Sequence, residues 1–257
     1  MIAAVLSLPV SIGLLIWIGK MKKDDPFPKG TFIRLLIAGA LSGIISSIIT
    51  IAGTIITLLI EIGPDGISQL MSEEGIMQFA QQLSQRQPEL TFTRALIAFI
   101  RIFITVGFAE EIIKFLCAKS VMKKKGVART WMDALLCFCV VAIGFQLIED
   151  IGYSSGNIAT AIFRALTPFH FTFAAIMGYY YGLGKTKKNK TYNFLAILVP
   201  SIIHTIFDYC GMMSRYADAF VLAMLAMSIL LFILTIVMIL KIAKWHKEKT
   251  LDIVIED

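Results

Sequence analysis

Seven apolar stretches recur along the chain, each close to the length that an α-helix needs to cross a bilayer. A helix rises about 1.5 Å per residue, so about 20 residues span the roughly 30 Å of hydrocarbon. The predicted spans are 2–19, 31–60, 95–118, 131–153, 157–183, 192–212 and 217–243. The sequence therefore predicts an all-α fold, a polytopic transmembrane helix bundle of seven spans.

No soluble domain is visible between these spans. Of the 257 residues, 57% are hydrophobic and 16% are charged, well outside the usual composition of soluble domains. We interpret residues 1–257 as a single integral-membrane domain. Its longest polar interruption, 62–93, is predicted to form an outside loop, either an interfacial helix or a solvated hairpin. All four cysteines lie within apolar spans, so neither a disulfide framework nor a C-x-x-C site is supported.

Basic residues fall on alternate sides of the predicted spans. The clusters "KMKK", "KSVMKKKGVAR", "KTKKNK" and "KIAKWHKEK" follow spans one, three, five and seven, and the opposite loops hold almost no basic residues. By the positive-inside rule, the N-terminus lies outside and the basic tail 244–257 is cytoplasmic. The net charge of +6 is then a signal of topology, and no nucleic-acid partner is expected.

Small residues also suggest how the spans pack. Gly39 with Gly43, and Gly178 with Gly182, have the small-xxx-small spacing that lets two transmembrane helices approach closely. We interpret both pairs as packing faces inside the bundle.

Ionisable side chains lie deep within four adjacent spans, where each charge costs several kcal/mol. Acids and imidazoles concentrated in this way predict one shared polar site in the bundle interior. The ionisable residues within spans three to six are Arg101, Glu110, Glu111, Lys114, Glu149, Asp150, Arg164, His170, His204 and Asp208.

Helical spacing groups the residues of the third span. Lys114 follows Glu110 by four residues and Glu111 by three, so one ammonium can serve both carboxylates. Two adjacent carboxylates that share one cation in a medium of low dielectric do not both ionise fully, and one is expected to hold a proton near neutral pH. The sequence thus predicts Glu110, Glu111 and Lys114 as catalytic residues. Arg101 is about 180° from Glu110 on an ideal helix and is left out of the site.

The later spans carry the same spacing of four residues. His204 and Asp208 in "HTIFD" share one helix face, so Asp208 can orient the imidazole as a supporting residue. Phe145 and Glu149 in "FQLIED" have the same separation, with Phe145 as a second supporting residue.

Glu149, His170 and His204 lie on three different helices. Two imidazoles and a carboxylate predict a tetrahedral zinc site with an open position for water, so hydrolysis inside the membrane is the predicted chemistry. A metal-free alternative has a glutamate activate water while the histidines stabilise the oxyanion. An ion- or proton-coupled transporter that uses the same acids and histidines is a further alternative. Arg164 is expected to snorkel to the lipid interface.

Four sequence elements in this order resemble the PrsW family of intramembrane peptidases, which is related to the CAAX prenyl endopeptidases and bacteriocin-processing proteins. These elements are "EEIIK", "FQLIE", "PFH" and "HTIFD". The resemblance implies a multi-pass protease of the bacterial cell membrane that makes the first cut in a single-pass anti-sigma factor. It also implies that Glu110 and Glu111 are catalytic, that Glu149, His170 and His204 bind metal or water, and that Lys114 and Asp208 support them.

Overall fold

The computed structural model describes residues 2–69, 72–85, 90–152, 162, 164 and 166–255. These residues are helical apart from turns and a single β-bridge between Thr130 and Val254, which confirms the all-α prediction. The helices are α1 (Ile2–Met21), α2 (Thr31–Gln69), α3 (Glu73–Gln85), α4 (Phe92–Ile102), α5 (Ala109–Met122), α6 (Trp131–Gly152), α7 (Phe169–Thr186), α8 (Lys190–Met213) and α9 (Asp218–Lys247).

Four helices are long and apolar enough to cross a membrane, by length and composition. They are Thr31–Ile60 within α2, and the whole of α6, α8 and α9; a shorter apolar helix covers Val5–Met21 within α1. These helices match five of the seven predicted spans, so the count of seven stays a prediction.

The predicted third and fifth spans differ from continuous α-helices. The third is α4 joined to α5 by a π-helical segment, Phe103–Phe108. In the fifth, α7 begins only at Phe169, because Pro168 before it has a non-helical backbone and cannot donate a backbone hydrogen bond. Residues 157–161 of that prediction lie outside the described residues, as do 70–71 and 86–89 of the predicted outside loop.

Helix α6 forms the centre of the bundle. Of the residues in its most apolar stretch, 89% are buried. The corresponding share is 11% in α2 and in α9, whose outer faces are rich in exposed aliphatic side chains. Helices α1, α2, α5 and α7 all pack around α6. Side chains along most of α6 therefore point into protein, which buries Phe145 and leaves Glu149, near the end of the helix, partly buried.

The contact between α2 and α6 is closer than side chains would allow. A Cβ atom added to Gly39 would lie 2.0 Å from the carbonyl oxygen of Val141, and one added to Gly144 would lie 2.4 Å from that of Leu36. Gly178 and Gly182 are crowded in the same way, by Leu135 and Trp131. The two predicted glycine pairs are thus packing faces within the bundle.

Gly39→Ala is expected to lower the free energy of unfolding by about 1–3 kcal/mol, because the new methyl group meets backbone that cannot move aside cheaply. Gly13→Ala in α1 is the matched control, since nothing lies within 4 Å of the added Cβ there. Equilibrium denaturation of both variants in detergent micelles measures the difference. Equal stability of the two variants would contradict the close approach of α2 to α6.

The C-terminal segment after α9 folds back onto the start of α6. The backbone N–H groups of Trp131 and Met132 donate hydrogen bonds to the carbonyl oxygens of Ile253 and Leu251, each at 2.9 Å. Leu251 and Ile255 are buried in the core. The described part of the basic tail is therefore docked on the bundle.

Candidate active site

The charged residues of α5 are buried against α7. Lys114 Nζ lies 2.7 Å from Glu111 Oε1 and 3.0 Å from His170 Nδ1. Lys114 and Glu111 are 2% and 1% exposed, so each charge depends on the other and on the neighbouring polar groups. The predicted sharing of Lys114 between two carboxylates is not what the structure shows, because His170 takes the second position near the ammonium in place of Glu110.

His204 on α8 faces carboxylates through both ring nitrogens. Its Nδ1 atom lies 3.0 Å from Glu111 Oε1, and its Nε2 atom lies 3.2 Å from Asp208 Oδ2 and 3.8 Å from Glu110 Oε2. Pairing of His204 with Asp208 at the spacing of four residues is as the sequence predicted. The Nδ1 contact fixes the ring, so that Nε2 points toward Glu110.

A second charged cluster joins α6 to the segment before α7. Glu149 Oε2 accepts a hydrogen bond from Arg164 Nη2 at 2.8 Å and also lies against His170 Nε2. Arg164 Nε donates to Asp150 Oδ1 at 2.8 Å. Arg164 is only 6% exposed, so the expectation that it snorkels to the lipid interface is wrong. The buried Asp150 and the partly buried Glu149 hold its guanidinium inside the protein, close to the histidines.

Three residues could hold a metal ion. One ligand atom from each of Glu110, His170 and His204 lies within 4.8 Å of the other two, and all three residues are buried. Glu110 Oε2 is buried without a hydrogen bond from the described residues, so it keeps a lone pair directed into the cluster. Two imidazole nitrogens and one carboxylate oxygen are a donor set that suits Zn²⁺.

The predicted ligand set contained Glu149 in place of Glu110. The structure brings Glu149 next to His170 Nε2, where its carboxylate is also tied to Arg164. The structure therefore brings the predicted acids and histidines together, with Glu149 against His170 and Glu110 within 4.8 Å of both imidazoles.

Aromatic rings enclose the cluster. Phe145 lies edge-on to His170 at 4.8 Å between ring centroids, and its ring is 4.1 Å from Lys114 Nζ. Phe173 packs on His204 at 5.1 Å. These rings restrict the orientations of the imidazoles and place an apolar surface around the buried charges, which strengthens every electrostatic interaction among them.

Sequence reasoning missed the π-helical segment that precedes Glu110. Within it, a Cβ atom added to Gly107 would lie 2.1 Å from Thr205 Oγ1, so the π-helical segment and α8 meet closely there. Such segments are frequent at functional sites because they shift the phase of a helix. The one available signal was Gly107 itself, directly before the acidic pair.

A family model and several curated proteins are similar to this chain. Residues 28–239 match the family model described as "PrsW family intramembrane metalloprotease", and no solved structure matches the chain. Proteins named "Protease PrsW" are similar: that of Clostridioides difficile is 32% identical over 139 residues, which cover 50% of this chain and 58% of the relative. That of Oceanobacillus iheyensis is 34% identical over 119 residues, which cover 43% and 54%.

The chain spans about half the length of these relatives. The family match covers far more, from the turn before α2 into the last third of α9, and includes every residue of the cluster. Bacterial relatives and apolar helices of membrane-spanning length confirm the predicted membrane location. This chain belongs to the PrsW family.

Proposed function

We propose that the chain is an intramembrane peptidase that hydrolyses a peptide bond of a membrane-anchored substrate. The observation that carries the proposal is the buried cluster of Glu110, Glu111, Lys114, His170 and His204 inside an apolar bundle. Burying five ionisable groups is costly, and bundle packing alone does not require it. Relatives named as proteases support the same reaction class.

We propose Glu110, His170 and His204 as the ligands of a divalent metal ion such as Zn²⁺, with Glu149 beside them. When bound, such an ion polarises a carbonyl group and makes water a better nucleophile near neutral pH. The protein's own part is to hold the three donor atoms. Glu111 accepts a hydrogen bond from Nδ1 of His204 and so orients that ring. Lys114 Nζ lies 3.0 Å from Nδ1 of His170 and restricts the position of the second ring.

Glu111 is the proposed general base. Its Oε1 atom contacts both Lys114 and His204, whereas its Oε2 atom is buried with no hydrogen bond from the described residues. Oε2 can take a proton from water as the water oxygen bonds to the scissile carbonyl carbon. The same proton then passes to the leaving nitrogen as the C–N bond breaks.

Lys114 keeps Glu111 ionised so that it can accept a proton, because the ammonium lies 2.7 Å from Oε1. Asp208 Oδ2 lies 3.2 Å from Nε2 of His204, the ring nitrogen that also faces Glu110, and restricts the position of this edge of the imidazole. Phe145 supports the site by packing on both Lys114 and His170.

Seven spans, with the N-terminus outside and the C-terminus cytoplasmic, are the topology that we propose. The basic clusters after α1, α5, α7 and α9 support this orientation. The proposed substrate is a single-pass membrane protein, and by resemblance to the family it is an anti-sigma factor. The lipid bilayer is the medium through which such a substrate reaches the site.

Co-reconstitution with a single-pass reporter protein in liposomes tests the activity. Wild-type protein is expected to cut the reporter, and His204→Ala is expected to slow cutting by more than the roughly 10–100-fold seen when an outer partner of a metal ligand is lost. His246→Ala is the matched control, because His246 lies in the last turn of α9 and outside the cluster. Undiminished cutting by His204→Ala would overturn the proposal, as would proton or ion flux without any cutting.

Removal of metal is expected to stop cutting by the wild-type protein. Treatment with a chelator, followed by dialysis, should leave less than one metal ion per chain by elemental analysis, and adding Zn²⁺ should restore both occupancy and cutting. The alternative in which Glu111 acts without metal predicts full activity at zero occupancy. That result would show that the reaction does not require a metal ion bound by Glu110, His170 and His204.

A further inference from the structure

A cavity of about 450 Å³ opens at the end of the bundle where α5 and α7 both finish. The C-terminal segment closes one side of it. Among the residues that line it are Lys119, Met122, Lys123, Tyr181, Lys185 and Ile255. Lys119 and Lys123 follow Lys114 along α5, so the cavity lies beyond the catalytic cluster, toward the predicted cytoplasmic surface.

The described residues that line this cavity carry a net positive charge. Three ammonium side chains line it, and none of the described lining residues carries a carboxylate. Lys119 and Lys123 are four residues apart and share a helix face, where like charges repel each other. An anion bound among them removes this repulsion and makes charge-assisted hydrogen bonds.

A neighbouring group of charges at the same end of the bundle is balanced by contrast. Lys22 Nζ lies 2.7 Å from the buried Asp133 and 3.0 Å from Asp25, and Arg129 contacts both acids. The hydrogen bond from Lys22, followed by those from Arg129, lowers the pKa of Asp25 below its ordinary value, so this acid stays ionised. At this end of the bundle, the described acids Asp25 and Asp133 therefore neutralise Lys22 and Arg129.

The walls of the cavity are apolar as well as basic. Met122, Tyr181 and Ile255 are buried and supply an apolar side. Leu116 is 56% exposed and lies three residues before Lys119 and seven before Lys123, on the same face of α5 but nearer the membrane centre. An acyl chain can lie along Leu116 while its phosphate group reaches the lysines; a free phosphate ion would use only the basic half.

We propose that this cavity binds the head group of an anionic phospholipid, with the phosphate between Lys119, Lys123 and Lys185 and an acyl chain along Leu116. Basic pockets between transmembrane helices on the cytoplasmic side suit such head groups. The site is separate from the catalytic cluster, and its occupancy does not depend on the proposed peptidase activity.

Native mass spectrometry of the full chain in detergent micelles, titrated with dioleoylphosphatidylglycerol, tests the proposal. Wild-type protein is expected to bind this lipid roughly tenfold or more tightly than the variant Lys119→Gln/Lys123→Gln/Lys185→Gln. Lys124→Gln/Lys125→Gln/Lys187→Gln is the matched control, because it removes the same charge from exposed lysines outside the cavity. Leu116→Gln is expected to weaken lipid binding while keeping all three lysines.

Three results would overturn the proposal. The first is equal loss of binding in both triple variants, which would show general attraction by basic residues. The second is displacement of the lipid by millimolar inorganic phosphate together with no effect of Leu116→Gln, which would make this a site for free phosphate. The third is binding that appears only in Glu256→Gln/Asp257→Asn, which would assign the cavity to the chain's own acidic end. If the triple variant fails to fold, Lys119→Gln and Lys123→Gln are compared singly, since both side chains are exposed.

Discussion

Glu111→Gln is expected to lower the rate of peptide-bond hydrolysis by about 10²–10⁴-fold while the protein keeps its fold and its metal. The amide has the shape of the carboxylate, and its oxygen can still accept hydrogen bonds from Lys114 and His204 at the position of Oε1. An amide cannot take a proton from water, however. The loss should therefore fall on kcat, as expected for a group that acts only in the chemical step.

Glu110→Gln separates the two roles proposed for the adjacent acids. Glu110 is grouped with His170 and His204 within 4.8 Å, so its amide variant should lose metal as well as activity. Elemental analysis beside reporter cleavage distinguishes the variants. If Glu111→Gln lost the metal and Glu110→Gln kept it, Glu111 would be the ligand and Glu110 the base. Full activity of Glu111→Gln would show that Glu111 is not the general base.

Sequence spacing predicted the contacts within single helices, because it reports which side chains each helix presents on one face. Lys114 is three residues from Glu111, and Asp208 is four residues from His204, and both pairs form in the structure. Within a helix the rise and turn are fixed, so these contacts follow from counting residues. The all-α architecture followed from hydropathy for a similar reason, since each apolar stretch is a local property of the chain.

Contacts between helices could not be predicted in this way. Lys114 turns to His170 on α7, which is 56 residues away, because the depth and rotation of each helix decide which acceptor is nearer. The π-helical segment before Glu110 changes the rotation of α5 relative to α4. Arg164 was expected at the lipid interface, yet Glu149 and Asp150 on α6 draw it inside. Only the packing of α6 in the centre of the bundle makes that pairing available.

The choice between Glu110 and Glu149 as the proposed third metal ligand also depends on contacts between helices. Sequence order placed Glu149 on a separate helix, a reasonable source for a third donor. In the structure, Arg164 already occupies one oxygen of Glu149 at 2.8 Å, whereas Glu110 Oε2 has no hydrogen bond from the described residues. An acid with an available lone pair is the better metal ligand, and a neighbouring arginine cannot be assigned from spacing along the chain.

Lys114→Met is expected to lower the free energy of unfolding by about 3–5 kcal/mol, because it removes the only ammonium within hydrogen-bonding distance of Glu111 among the described residues. Glu111 is 1% exposed, so a single water at Oε2 would not compensate for the ammonium lost at Oε1. The alkyl stem of lysine and the side chain of methionine are similar in length, so packing against Phe145 is largely kept. Loss of a charge partner, and not a cavity, is the reason for the effect.

The double variant Glu111→Gln/Lys114→Met separates this cause from a general defect in packing. Removing both charges leaves neither Glu111 nor Lys114 as an unpaired buried ion, so the double variant should recover most of the stability that Lys114→Met loses. Equilibrium denaturation in detergent micelles, followed by circular dichroism, gives the coupling free energy from the four proteins. Additive losses would show that Lys114 acts through packing alone, and its proposed task of keeping Glu111 ionised for proton transfer would then have no support.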